Sequence, residues 1–328
     1  MTVINGIEID NINYKVNEIK LAIANNDPIE EKLNVIIVIS NPCLFVKRYI
    51  LFKQFLQRIE HEEPNVILYV VELAYKKQKF IITDSKNPRH LQLRTEIPLW
   101  HKENMINLGI KLLPVNWKAF AWIDGDVEFE SSTWALDTLK ILNGYKDIVQ
   151  VFSHCVDMDN KEQTMRIFNS AGYHYAKGDT YCSSGQNYWH PGYAWAITRK
   201  AYEKIGGLYD RSILGSGDNI MLFSILNNVI KSIHSDSTDE YKQDILKFQE
   251  QMSTLRFGYV PGTIYHYFHG SKENRKYTER WQILVKHNYN PFTFIDYDHN
   301  GIIIPSQIFP KTLADDIMQY FEERNEDE

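Results

Sequence analysis

Apolar positions fall into two rhythms along this chain. Val35-Ile36-Ile37-Val38-Ile39 is an unbroken β-branched run, the pattern of a parallel strand buried on both faces. Ser40-Asn41-Pro42 ends it. Apolar residues then recur at helical spacing from Leu44 to Glu60, which predicts a helix. Val66 to Glu72 predicts a second strand and Phe80 to Thr83 a third, so the main body opens as a βαβ unit. Ahead of it, Val16 to Ile23 predicts a short helix broken at Asn25-Asn26-Asp27-Pro28.

The alternation continues downstream. Pro98 to Gly109 predicts a helix with Gly109 as its C-cap, and Ala119 to Ile123 a short buried strand that Val127-Glu128-Phe129 extends. Ser131 or Ser132 can open a helix running to Leu142, and Ile148 to Phe152 predicts another strand. Residues 154–190 are rich in Asn, Ser, Gly, Tyr and His and read as one long loop. Loops of that length are usually lids, binding loops or disordered, and its aromatics argue against disorder. An acceptor-binding or lid segment and a surface-packed insertion both remain open. Gly192 to Ile197 predicts a strand, and Arg199 to Ile205 a helix closed by Gly206-Gly207. Gly215-Ser216-Gly217-Asp218-Asn219 opens a helix from Ile220 to Ile230, and Lys231 to Arg256 reads as a charged, solvated helical excursion. Phe257 to Val260 predicts a strand, Arg275 to His287 a helix and Phe292 to Ile304 a hairpin around Asp298-His299-Asn300-Gly301. Lys311 to Arg324 predicts a last helix with an acidic tail. With no repeat and no clear linker, the expected organisation is an N-terminal extension over 1–32, one catalytic domain over 33–290 and a hairpin and helix over 291–328.

Composition narrows the partners. A chain of 328 residues with 44% hydrophobic and 24% charged residues is an ordinary globular protein with a large core. Its net charge of −6 gives no support to a nucleic-acid partner. No run reaches the length of a membrane span, and Met1 to Asp10 lacks a signal-peptide apolar region. Cys43, Cys155 and Cys182 are too widely spaced for a disulfide framework or a zinc site. A cytoplasmic location is the expectation.

Candidate chemistry gathers at the Trp122-Ile123-Asp124-Gly125-Asp126 strand end. In open α/β sheets ligands bind at the carboxyl edge. Two carboxylates this close repel unless a cation or hydrogen bonds hold them. A hard divalent ion carrying a nucleotide diphosphate would do so; a solvated Asp-Gly turn reads the sequence equally well. No Gly-x-Gly-x-x-Gly and no Gly-Lys-[Ser/Thr] follows a strand, which disfavours a dinucleotide fold and a P-loop. Ser40 and Asn41, at the end of the first strand, are where a nucleotide base is expected.

His266-Tyr267-Phe268-His269-Gly270 is the second cluster. Two histidines three apart can face one ion, and imidazole suits Mn²⁺ better than Mg²⁺; taken alone the pair reads as one buried and one exposed histidine. With Asp126, one or two imidazoles and two phosphate oxygens would complete an octahedral Mn²⁺ shell. Asp218 follows Gly-Ser-Gly at a helix start. It reads either as a first-turn acid favoured by the dipole or as a general base for an acceptor hydroxyl.

These blocks, in this order, resemble GT-A nucleotide-sugar glycosyltransferases, in particular the β-1,4-galactosyltransferases and the catalytic domains of polypeptide GalNAc-transferases. Pro98-Leu99-Trp100-His101-Lys102-Glu103-Asn104-Met105-Ile106-Asn107-Leu108-Gly109 resembles the family's Pro-Phe-Asn-Arg-Ala-Lys-Leu-Leu-Asn-Val-Gly. Trp122 to Asp126 resembles its Asp-Val-Asp strand end. Gly192 to Asn219 resembles its Gly-Gly-Val-Ser-Ala…Gly-Gly-Glu-Asp-Asp block, and His266 to Asn274 its Met-x-x-His-Ser-Arg-Asp-Lys. The resemblance implies a Rossmann-like mixed α/β sheet flanked by helices. It puts Mn²⁺ (or Mg²⁺) on Asp126, His269 and His266, the last in place of the family's methionine. It puts the nucleotide-sugar on Ser40, Asn41, Lys102, Asn107, Asp124, Gly125, Asp126 and Trp195, and the base on Asp218. Trp195 and Tyr193 read equally as site walls or as core aromatics of a strand. Gly217 and Asn219 stand where the family carries acids, so acceptor specificity does not transfer.

The implied activity is metal-dependent transfer of a hexosyl or N-acetylhexosaminyl unit from a UDP-sugar to a glycan, protein or lipid hydroxyl, with inversion if Asp218 is the base. The competing readings are a nucleotidyltransferase, which normally needs a basic or Gly-rich phosphate loop that is not found here, and a GT-A-like carbohydrate-binding module without turnover.

Overall fold

The computed structural model describes residues 3–4, 7–8, 16–24, 27–185 and 187–328. Most of Met1 to Asp10, and the Asn25-Asn26 part of the expected helix break, lie outside the described residues. The N-terminal segment holds two short strands, β1 (Val3–Ile4) and β2 (Ile7–Glu8), and the expected helix α1 (Val16–Ala24). The main body then runs β3 (Leu33–Ser40), α2 (Val46–Glu62), β4 (Val66–Tyr75), β5 (His90–Thr95), α3 (Lys102–Gly109), β6 (Ala119–Ile123), β7 (Val127–Phe129), α4 (Trp134–Ile141), β8 (Ile148–Gln150), β9 (His154–Met158), β10 (Thr164–Ser170) and α5 (Ala171–Lys177). It continues through β11 (Trp189–His190), β12 (Ala194–Thr198), α6 (Arg199–Ile205), α7 (Gly217–Ile225), α8 (Asp239–Met252), β13 (Phe257–Tyr259), β14 (Thr263–His266) and α9 (Trp281–Lys286). The chain closes with β15 (Ile295–Tyr297), β16 (Ile303–Pro305) and α10 (Lys311–Glu323). Among the described residues no helix is long and apolar enough to cross a membrane.

Seven strands form the central sheet in the order β13-β8-β12-β6-β3-β4-β5. Strand β12 is antiparallel to both neighbours, and the other pairs are parallel. This is the expected Rossmann-like mixed sheet flanked by helices. Strand period sorts its side chains into two cores. Val35, Ile37 and Ile39 of β3 face one, with Phe52 and Phe55 of α2, while Ile36 faces the other with Met105 and Ile106 of α3. In β6 and β12 the alternation is small against aromatic: Ala119, Ala121, Ala194 and Ala196 point to the first core, Phe120, Trp122 and Trp195 to the second.

A second sheet, β11-β10-β9-β14-β7, grows from the first. Three central strands run almost directly into it: β6 into β7, β8 into β9 and β13 into β14. The Asp124-Gly125-Asp126 turn is one of these crossings, so it lies where the two sheets meet.

Several expectations need correction. Phe80 to Thr83 is no strand; the third strand is β5, His90–Thr95. The reason is Glu72, buried at 3% exposure. Its carboxylate accepts the backbone N–H of Ile81 at 2.7 Å, of Ile82 at 3.1 Å and of Thr83 at 2.8 Å, so those donors are taken from any ladder. Residues 154–190 are not one loop: they supply β9, β10, α5 and β11. Lys231 to Arg256 is not a solvated excursion, because α8 buries Tyr241, Ile245, Phe248 and Met252. The helix expected over Arg275 to His287 is only α9, preceded by a 3₁₀ turn, Glu273–Arg275. Gly109 does not stop α3, which continues as a 3₁₀ turn over Ile110–Leu112. Its value is closeness, since a Cβ there would meet Ile36 Cγ2 at 2.9 Å and Val71 Cγ2 at 3.0 Å. The acidic tail that follows α10 carries Glu326, which is 1% exposed.

Candidate active site

The turn after β6 is pinned at both ends. Asp124 N donates to Tyr193 O at 2.8 Å, and Asp126 O accepts from Tyr267 N at 2.8 Å. Gly125 is required by crowding, since a Cβ would lie 2.7 Å from Phe52 Cδ2. Strand register delivers the histidines. In β14, His266 pairs with Val127 of β7 on one side and Asp157 of β9 on the other, which sets it one residue from Asp126. His269 follows in the loop beyond, where Gly270 turns at φ +86°.

Asp126, His266 and His269 thereby converge, with one candidate ligand atom from each lying within 4.8 Å of the others. Asp126 Oδ2 is 2.7 Å from His269 Nε2 and 3.8 Å from His266 Nε2. Asp126 Oδ1 and His266 Nε2 are buried with no hydrogen-bond partner. Burial lowers the His266 imidazole pKa against the pull of Asp157 and Asp126, which keeps its lone pair available at neutral pH. Burial opposes ionisation of Asp126, but His269 and His266 hold its carboxyl well below the usual range. Arg275 Nη2 also reaches His269 Nε2, at 2.7 Å. Orphaned buried atoms on a carboxylate and an imidazole fit a bound cation, and the N/O donor set suits Mn²⁺.

The other acids meet at Lys102. Its Nζ lies 2.7 Å from Asp124 Oδ1 and 3.4 Å from Asp218 Oδ2. Asp218 sits in the first turn of α7, two residues after Ser216, which takes the N-cap position in the left-handed region at φ +73°. Asp218 Oδ1 is buried and unpartnered. Beneath it lies Glu103, 4% exposed. A side chain on Gly217 would collide with the Glu103 carboxyl. Burial pushes Glu103 up to about 8, with Asp218 adding and Lys102 opposing.

One cleft of about 180 Å³ is lined by Ser40, Asn41, Lys102, Asp124, Gly125, Asp126, His266 and His269 together. Asn41 is there by backbone more than by amide, because its side chain is engaged with Phe45 N and O at 2.9 and 2.8 Å. Asp218 stands at the edge of this group, reached through Lys102. Two expected donor contacts are elsewhere. Asn107 holds the backbone of Leu208, donating to its O and accepting from its N at 2.9 Å each. Trp195 is fully buried, stacks on Trp122 at 6.3 Å and donates its Nε1–H to Pro191 O. Tyr193 does line the cleft, with its ring 4.5 Å from that of His266. Sequence reading missed Asp157, Glu326, Arg48 and Arg275 around the histidines.

No family model and no curated protein matches the chain. Solved structures similar to it include nucleotide-diphospho-sugar transferases. A Pyrobaculum calidifontis mannosyltransferase in complex with GDP-Man and Mn²⁺ is 12% identical, covering 78% of this chain and 64% of that one, at TM-score 0.43. This chain thus spans less than two thirds of that protein. The catalytic domain of Drosophila β1,4-galactosyltransferase 7, complexed with xylobiose, is 10% identical over 84% and 93%, at TM-score 0.39. A 4-diphosphocytidyl-2C-methyl-D-erythritol synthase from Anaerococcus prevotii is 12% identical over 89% and 98%, at TM-score 0.35. At such identities and scores these likenesses assign no activity.

Proposed function

We propose that this protein is a metal-dependent glycosyltransferase that moves a hexosyl or N-acetylhexosaminyl unit from a UDP-sugar to an acceptor hydroxyl. The observation that carries the reading is the convergence of Asp126, His266 and His269, with two orphaned buried atoms, at the carboxyl end of β6. Asp126 Oδ2, His269 Nε2 and His266 Nε2 would hold the ion, with Mn²⁺ favoured over Mg²⁺ by the two imidazoles. A bound divalent cation supplies charge neutralisation for a diphosphate leaving group. Ser40 and the backbone at Asn41 line the part of the cleft at the end of β3, where the base would lie. Lys102 carries a permanent positive charge between Asp124 and Asp218 and can turn to the diphosphate. Asp218, 3.4 Å from that same lysine, would take the acceptor hydroxyl proton as it attacks the anomeric carbon, which gives inversion.

Calorimetric titration of UDP into metal-free protein, with and without Mn²⁺, tests the reading. Binding that requires Mn²⁺, followed by turnover with one member of a UDP-sugar panel, is the expected result. Absence of UDP binding under both conditions would overturn the UDP assignment.

A further inference from the structure

Behind each candidate metal histidine stands a buried carboxylate that is not itself a candidate ligand. Asp157, 1% exposed, lies across from His266 in the register of β9 and β14. Its Oδ1 is 2.7 Å from His266 Nδ1, and its Oδ2 pairs with Lys272. An acidic acceptor at Nδ1 makes that nitrogen the protonated one and leaves the Nε2 lone pair pointing away. His266 Nε2 is the buried, unpartnered atom that faces Asp126.

Glu326 stands behind His269 at a longer distance, with Arg275 Nη2 also 3.2 Å from the same ring's Nδ1. It arrives on the segment after α10 and is held by Arg48, at 2.8 Å to Nε and 2.5 Å to Nη2, and by Arg324 at 2.7 Å. Its Oε2 stands 3.7 Å from His269 Nδ1, while Nε2 of the same ring is 2.7 Å from Asp126. The segment is seated on the histidine loop itself. A Cβ on Gly270 would come within 3.0 Å of Asn325 O and of Glu326 Cα. The next residue, Asp327, accepts the N–H groups of Val46 and Lys47 at the start of α2, at 3.1 and 2.8 Å. Two buried carboxylates are expensive. Their cationic partners differ; what they share is a position behind an imidazole that faces Asp126.

We infer that Asp157 and Glu326 are positioning residues that aim Nε2 of His266 and of His269 at the metal, which makes the segment after α10 a working part of the metal site. The inference rests on the donor-site reading above. Outer carboxylates of this kind fix ring orientation and raise ligand basicity, and losing one typically lowers metal affinity about 10–100-fold.

The test is Mn²⁺ titration of the full chain, read by loss of the free-ion EPR signal, with pulsed EPR counting the imidazole nitrogens on bound Mn²⁺. Asp157→Leu should weaken Mn²⁺ binding about 10–100-fold and reduce two coupled nitrogens to one. Should that variant not fold, Asp157→Asn carries the same test, since its single oxygen cannot serve both His266 and Lys272; about a tenfold loss is expected. Glu326→Gln should likewise lose about tenfold. Folded Asp157 and Glu326 variants with wild-type Mn²⁺ affinity and two coupled nitrogens would overturn the inference and leave the metal site standing. A wild-type protein that binds no Mn²⁺, with or without UDP, would overturn the donor-site reading and this inference with it.

Discussion

The two ends of the cleft settle their negative charge in opposite ways. At one end Asp126 is faced by imidazoles, which can be neutral and can share their ligand atoms with an ion. At the other, Asp124 and Asp218 are bridged by one ammonium, Lys102, whose charge these two acids favour against its burial. The first end is built around groups that can accept a cation, and the second already carries its own. An ion at the metal end would turn Arg275 away from His269 Nε2, which it reaches at 2.7 Å, and for Asp218 to act as the proposed base Lys102 would have to turn toward another anion, for which the incoming diphosphate is the obvious candidate.

Four experiments test the difference between the two ends. Asp126→Ala should abolish Mn²⁺-dependent UDP binding, so that calorimetry shows no heat with metal beyond that without it; persistent Mn²⁺-dependent binding would dissolve the metal end. Asp218→Asn should leave UDP and Mn²⁺ binding intact and reduce sugar transfer about 10²–10⁴-fold. Near-normal transfer by that variant would remove Asp218 as the base. Lys102→Met should raise the donor KM about tenfold, the value of one charge-assisted hydrogen bond, with unchanged Mn²⁺ affinity in nucleotide-free protein. An unchanged KM would make the lysine a tether between two acids and nothing more.

Glu103→Gln gives the smallest effect and reads the acceptor end by pH. In the folded protein Glu103 is raised from 4.5 to about 8, chiefly by burial. The folded state therefore keeps a proton that the unfolded chain releases. The associated stability is full below pH 4.5 and is lost as pH rises toward 8. Urea unfolding at pH 5 and pH 8 should show the wild type losing on the order of 3 kcal/mol more than Glu103→Gln between those points. Equal losses would mean that Glu103 is already ionised beside Asp218.

Much of this contrast was legible in the chain before the structure. The β-branched run of β3, the Asp-Gly-Asp end of β6 and the His266/His269 pair are local signals, each carried by a handful of adjacent residues. What was hidden depended on partners far away in sequence. Asp157 lies in a polar stretch whose strand β10 turns Met165 and Ile167 outward, which blurs the alternation that marks a half-buried strand. Glu326 looks like any residue of an acidic tail until Arg48 and Arg324 are seen around it. Phe80 to Thr83 has strand composition, and only a glutamate eight residues before Phe80 diverts its backbone donors. Asn107 and Trp195 carried plausible motif positions, but an amide that clamps Leu208 and an indole stacked in the sheet have no sequence signature that separates them from ligand contacts. Glu103 shows a further kind of blindness, since the space left by Gly217 is filled by a side chain from α3.

Tyr193 has a consequence for anyone who would engineer this protein. It holds φ +80°, a backbone region that costs a non-glycine residue about 1–2 kcal/mol. Its ring is sandwiched between those of His190, at 4.2 Å, and His266, at 4.5 Å. Tyr193→Gly would relax that backbone, but it would also empty a buried ring site at a cost of about 3–5 kcal/mol, so the melting temperature would fall, and His266 would lose the aromatic face against which it rests. Tyr193→Phe keeps the stack and is the substitution to choose where only the hydroxyl is to be removed.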